Sequence, residues 1–160
     1  GVQVAKFAQA FDMEVSYYDC QKKETNLAEF NSADALFEWA EILSIHIPLN
    51  KNNVHFVDKS LLDLLPKQSI LINTSRGAIV NEFDLVEALE KNIIMGTGLD
   101  VYDIEPLPEN HKLRFLPNAL LLPHLGYVTK ENYEVFYTQM AENLLAFKEG
   151  KPIRVIQMLN

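Results

Sequence analysis

Residues 69–101, SILINTSRGAIVNEFDLVEALEKNIIMGTGLDV, decide the fold. The stretch opens on a short apolar run, Ser69–Asn73, and closes on another, Gly96–Val101, each of strand length. Between them Asn81 stands directly before EFDLVEALE, which predicts a capped helix through Leu89. A strand, a helix of about three turns and a second strand follow in order. Strands apolar on both faces, alternating with helices, predict parallel strands buried between helix layers, the α/β doubly wound fold.

The same alternation extends outward in both directions. Upstream, Val4, Ala5, Phe7, Ala8 and Phe11 recur at helical spacing, which predicts a helix over 2–11 with a buried stripe. MEVSYY (13–18) alternates with period two and predicts a strand ending at Asp19, and the polar 21–29 segment is expected to be loop. Ser32 starts a short helix through Trp39, EILSIHI (41–47) is a buried-strand candidate stopped by Pro48, and Asp58 or Ser60 starts a helix closed by Pro66. Downstream, residues 119–122 predict another strand and 128–149 a long helix ended by Gly150. One feature departs from a complete dinucleotide fold, in which a central first strand leads into the phosphate-binding glycines. No strand precedes the first helix, so the fold is expected to lack that strand within this sequence.

Composition narrows the function. The net charge of -8 argues against nucleic acid or an anionic membrane as partner, since both require a basic face. The lone Cys20 excludes an internal disulfide and a cysteine-rich metal site, which suits a cytoplasmic protein that holds no metal. No apolar run reaches the roughly 20 residues of a membrane span.

Five segments then stand in one order: GVQVAKFAQAFDMEVSYYD (1–19), HIPLN (46–50), INTSRGAIVNEFDLVEAL (72–89), GTGLDVYDIEP (96–106) and LLPHLGYVT (121–129). Together they resemble the D-isomer-specific 2-hydroxyacid dehydrogenases, in particular their phosphoglycerate-dehydrogenase-like members, over almost the whole chain. The resemblance implies a Rossmann-like NAD-binding domain over 1–127. It also implies a helix and tail over 128–160 that would return to a substrate domain outside this sequence, and a homodimer. The implied reaction is hydride transfer between NAD and a small 2-oxo or 2-hydroxy acid.

The site residues follow from the same resemblance. Gly1 is similar to the third glycine of G-x-G-x-x-G, the one that lets helix and strand pack closely. Asp19, ending the second strand, can accept both ribose hydroxyls and repel a 2′-phosphate, which implies NAD rather than NADP; the alternative is a capping Asp. Arg76 is similar to the family's substrate arginine, whose guanidinium can bind a carboxylate by paired hydrogen bonds, with Thr74 and Ser75 facing the nicotinamide. His124 is the implied acid/base and Glu105 its orienting carboxylate, both after strands, where open α/β sheets place their ligands. Asp100 would contact the nicotinamide carboxamide, or be a structural Asp. His46 and Pro48 are similar to a cofactor-facing loop, although a structural His fits there as well, and Gly126, together with Arg76 and His124 themselves, completes the cofactor set.

His55 and His111 lack such context and are read as surface residues. Asn81, Asn50 and Tyr127 depart from the residues common in the family, which leaves the particular 2-oxo acid open. The competing reading is an NAD-responsive binding module of the co-repressor type. These 160 residues by themselves are expected to be inactive.

Overall fold

A computed structural model describes residues 1–156. It divides into two compact units, Gly1–His124 and Leu125–Asn160. The first contains α1 (Val2–Ala10), β1 (Ser16–Tyr17), β2 (Glu29–Phe30), α2 (Ala33–Trp39), β3 (Ile42–Ile45), α3 (Lys59–Leu62), β4 (Ile70–Asn73), α4 (Glu82–Glu90), β5 (Gly96–Leu99) and β6 (Ala119–Leu121). All strand pairings are parallel, in a four-stranded sheet ordered β3-β4-β5-β6 and a separate pair β1-β2. This is the expected doubly wound arrangement.

Local chemistry explains the helix starts. The Ser32 side chain accepts from the Ala35 N–H, Asp58 from Ser60 and Leu61, and Asn81 from Asp84. Each satisfies a donor that the first helical turn leaves without an internal partner. The core forms where α3 and α4 cover the sheet, with Leu62, Leu71, Leu85 and Leu89 fully buried. Buried hydroxyls in this region are paired, Ser69 Oγ donating to the Ala40 carbonyl at 2.6 Å and Thr97 Oγ1 to the Leu71 carbonyl at 2.9 Å.

Several expectations are corrected. The stripe of α1 is not buried, and Phe7 is 58% exposed. Its apolar face has no sheet to pack on, because among the described residues no strand joins β1 to β3. The strand expected over 13–18 shrinks to Ser16–Tyr17, since only these residues find a ladder partner. That partner, β2, begins at Glu29 in the segment expected to be loop. Its pairing rests on backbone groups and on Asn31, whose amide donates to Ser16 Oγ at 2.8 Å, so it needs no apolar alternation. Nor are all strands apolar-buried on both faces: Leu120 on the edge strand β6 is 68% exposed.

The second unit is a single long helix, α5 (Lys130–Lys148), with its flanks. The Thr129 side chain caps it at the Asn132 N–H, and Arg154 bonds back to Glu142 and Asn143. Within this unit no residue of α5 is buried, and Phe136, Tyr137, Leu144 and Leu145 are exposed. The final residues of the expected tail, 157–160, lie outside the described residues.

Candidate active site

The sheet register brings the candidate residues to one edge. Ile45 pairs with Asn73, Asn73 with Leu99, and Leu99 with Leu121, one row across the four strands. The residues just past that row are His46, Thr74, Asp100 and Leu122. Parallel strands make this outcome unavoidable, because every carboxyl end lies on the same side.

The turn after β4 is built by Asn73, which is 1% exposed. Its side-chain Oδ1 accepts the Ser75 N–H at 3.0 Å, and its side-chain amide Nδ2 donates to the Arg76 carbonyl at 2.9 Å. Ser75 Oγ donates to the Ile47 carbonyl at 2.5 Å, fastening this turn to the segment after β3. The Arg76 side chain is thus presented on a braced turn, with Nη1 donating to the Ser75 carbonyl at 2.6 Å. Sequence reasoning missed Asn73. The available signal was an Asn two residues before Ser at the end of an apolar strand, an Asx-turn pattern. Asn73→Ala leaves both backbone groups without their partner and is expected to cost about 2 kcal/mol in urea unfolding. A loss near zero would show that the turn is held by other contacts.

Beyond β5, Asp100 is buried and Glu105 lies on the loop that follows. Glu105 Oε2 and His124 Nδ1 are 2.7 Å apart, and the Tyr102 N–H donates to Glu105 Oε1 at 3.0 Å. Desolvation pushes the Glu105 carboxyl up. The His124 and Tyr102 hydrogen bonds, with the charges of His124 and Arg76, outweigh this and hold it below the usual glutamate value. It is therefore a carboxylate at neutral pH, and Nδ1 of His124 is the donor to it. His124 has a φ of 56°, in the left-handed region that residues other than glycine uncommonly adopt.

The remaining candidates are distributed along the same edge and on β1. The start of α1 meets His46, since a Cβ on Gly1 would lie 3.6 Å from His46 Cβ. Burial pushes the His46 imidazole down, and its Nε2 lies 2.9 Å from Ser44 Oγ. Asn53 organises the loop after Pro48, donating to the Pro48 carbonyl at 2.8 Å and accepting the Asn50 N–H at 2.7 Å. Asp19 follows β1. The Cys20 thiol donates to it at 3.1 Å and Lys23 lies at 3.3 Å, and the thiol bond leads the effects that keep its carboxyl low. Thr74 is exposed, and Gly126 belongs to the second unit.

His55 is exposed, as expected, but His111 is not a plain surface residue. Its Nδ1 accepts the Leu113 N–H at 3.3 Å and its Nε2 lies 3.1 Å from Glu82 Oε1, because it caps a short 3-10 turn at 112–115. Burial pushes the Glu82 carboxyl up.

A helix start beside the carboxyl edge, a carboxylate after β1 and a histidine–carboxylate pair after β5 and β6 suit a dinucleotide and a small anionic substrate. Comparison with known proteins agrees. Residues 1–126 match the family described as D-isomer specific 2-hydroxyacid dehydrogenase, NAD binding domain. The chain belongs to that family. It is 41% identical over 155 residues to a glyoxylate reductase of Aeropyrum pernix, covering 94% of this chain and 46% of that protein. A glyoxylate reductase of Thermofilum pendens is 38% identical over 156 residues, with the same coverage of 94% and 46%. Among solved structures, the TT0316 protein from Thermus thermophilus superposes with a TM-score of 0.88 at 39% identity, covering 96% of this chain and 49% of that one. The chain thus spans about half the length of the curated relatives it matches. Among the described residues no helix is long and apolar enough to cross a membrane.

Proposed function

We propose that the intact native protein interconverts a D-2-hydroxy acid and its 2-oxo acid with NAD, using Arg76, Glu105 and His124. The observation that carries this reading is the 2.7 Å contact between His124 Nδ1 and Glu105 Oε2 at the carboxyl edge of the sheet. Bound NAD supplies or accepts the hydride. The protein's own task is to bind the carboxylate, orient the reacting carbon and move one proton.

Arg76 binds the substrate carboxylate by paired, charge-assisted hydrogen bonds and helps polarise the 2-oxo group. His124, with Nδ1 turned to Glu105, gives a proton from Nε2 to the ketone oxygen in reduction and takes it back in oxidation. Glu105 fixes the ring and stabilises the imidazolium that this exchange requires. Asp19 selects NAD by accepting the ribose hydroxyls and repelling a 2′-phosphate. Gly1, His46, Pro48, Thr74, Ser75, Asp100 and Gly126, together with Arg76 and His124, complete the cofactor contacts. In this reading the NAD-binding domain runs over 1–127, and 128–160 returns towards a substrate-binding domain. The protein works in the cytoplasm as a homodimer, without nucleic acid. The co-repressor alternative draws no support from these relatives.

The direct test is NADH oxidation by the intact native protein with glyoxylate or hydroxypyruvate. Saturable turnover is expected with NADH in preference to NADPH, and no turnover with any small 2-oxo acid would sink the proposal. Arg76→Ala should lower kcat/KM by roughly 10- to 100-fold, the worth of hydrogen bonds to a charged group. An unchanged kcat/KM would remove Arg76 from substrate binding.

A further inference from the structure

We propose that Tyr102 is the positioning residue of this site, its phenol hydroxyl forming the last rung of the sheet before His124 while its N–H holds Glu105. The proposal rests on the dehydrogenase reading above and states what keeps that site's geometry.

The need for such a residue lies in β6. This strand has three residues, sits at the edge of the sheet and, among the described residues, pairs only with β5. Its ladder continues one step, the Leu122 N–H donating to the Leu99 carbonyl at 2.8 Å. The next residue is Pro123, which has no N–H to give. The chain then enters the left-handed conformation at His124, a backbone state that costs roughly 1–2 kcal/mol for a residue with a Cβ. The 2.7 Å bond to Glu105 requires this short edge segment to deliver His124 to within a few tenths of an ångström.

Tyr102 meets that need from the opposite side. Its hydroxyl donates to the Leu122 carbonyl at 2.8 Å, with the Leu99 carbonyl at 3.2 Å, so Leu122 is tied to the β5 segment through both its backbone N–H and its carbonyl. Its N–H donates to Glu105 Oε1 at 3.0 Å. Its carbonyl lies against Gly77, the residue after Arg76, where a Cβ would come within 2.0 Å of Tyr102 C. The segments carrying Arg76, Glu105 and His124 therefore converge on one residue. Tyr102 is 6% exposed, and burial pushes its phenol above the usual tyrosine value, so the hydroxyl keeps its proton to donate. A phenylalanine would fill the same space without the rung, so the hydroxyl is explained by its carbonyl partner.

The test compares Tyr102→Phe with Thr97→Val in the intact native protein. Thr97→Val deletes a similar buried hydroxyl-to-carbonyl bond, 2.9 Å long, from the same strand β5 but away from the His124 pair. Two readouts are taken: the Nδ1–H resonance of His124 by NMR without substrate, and kcat against KM for a 2-oxo acid. Tyr102→Phe should weaken and shift the Nδ1–H resonance and lower kcat about tenfold, the worth of one hydrogen bond, with little change in KM. Thr97→Val should lower thermal stability while leaving both readouts unmoved. An unaltered His124 resonance in Tyr102→Phe, or the same change in both variants, overturns the proposal. The unsubstituted protein offers a check without any variant: the Tyr102 hydroxyl proton should exchange slowly, and a rapidly exchanging one overturns the proposal as well. The resonances are read without turnover, so a missing dehydrogenase activity would count against the function and not against the role of Tyr102.

Discussion

Replacing His124 with alanine is expected to lower turnover of the intact native protein by about 10²–10⁴-fold, the usual contribution of a positioned general acid–base group. The loss should fall on kcat, because the proton is transferred in the transition state and not on substrate binding. The imidazole is partly exposed and its hydrogen-bond partner Glu105 is also open to solvent, so folding should be little affected. NADH binding, followed by fluorescence, should therefore weaken far less than the chemical step. Turnover that survives the substitution removes His124 from the mechanism.

The second large effect is structural. Gly77→Ala would place a methyl carbon 2.0 Å from the Tyr102 carbonyl carbon, 2.2 Å from its oxygen and 2.6 Å from the Asp103 nitrogen. All three are backbone atoms, so no change of rotamer relieves the clash. Either the turn carrying Arg76 or the loop carrying Glu105 must move. Overpacking of this kind costs about 3 kcal/mol, and for a chain of this size it should lower Tm by roughly 10 °C. Because the displaced loop holds Glu105, turnover should be lost together with stability. A Gly77→Ala protein that melts with the parent and retains full activity would show that the two segments do not meet as described.

The fold was legible where local chemistry and pattern agree. Asn81 before EFDLVEALE carries both a cap and a core stripe, and α4 forms there with Leu85 and Leu89 buried. The apolar runs of β3 and β4 were equally plain, and parallel pairing follows once helices alternate with strands. Glu105 and His124 were paired by resemblance, and they lie in hydrogen-bond contact. Other features depend on what lies across space and leave no periodic mark. The two-residue strand β2 pairs through backbone groups in a polar stretch. The stripe of α1 has the right spacing but no covering strand among the described residues. Asn73, Tyr102 and His111 act through carbonyls, N–H groups and a carboxylate that only the folded chain brings near them. A side chain that supports a site through its neighbours looks, in sequence, like any other polar or aromatic residue.

The proposed reaction has a defined hand, since the family is described by its D isomer. The intact native protein should be supplied with NADH and hydroxypyruvate, and the product resolved on a chiral column. D-glycerate alone, formed in step with NADH consumed, is the predicted result. L-glycerate, a racemate or no product would contradict the proposed function.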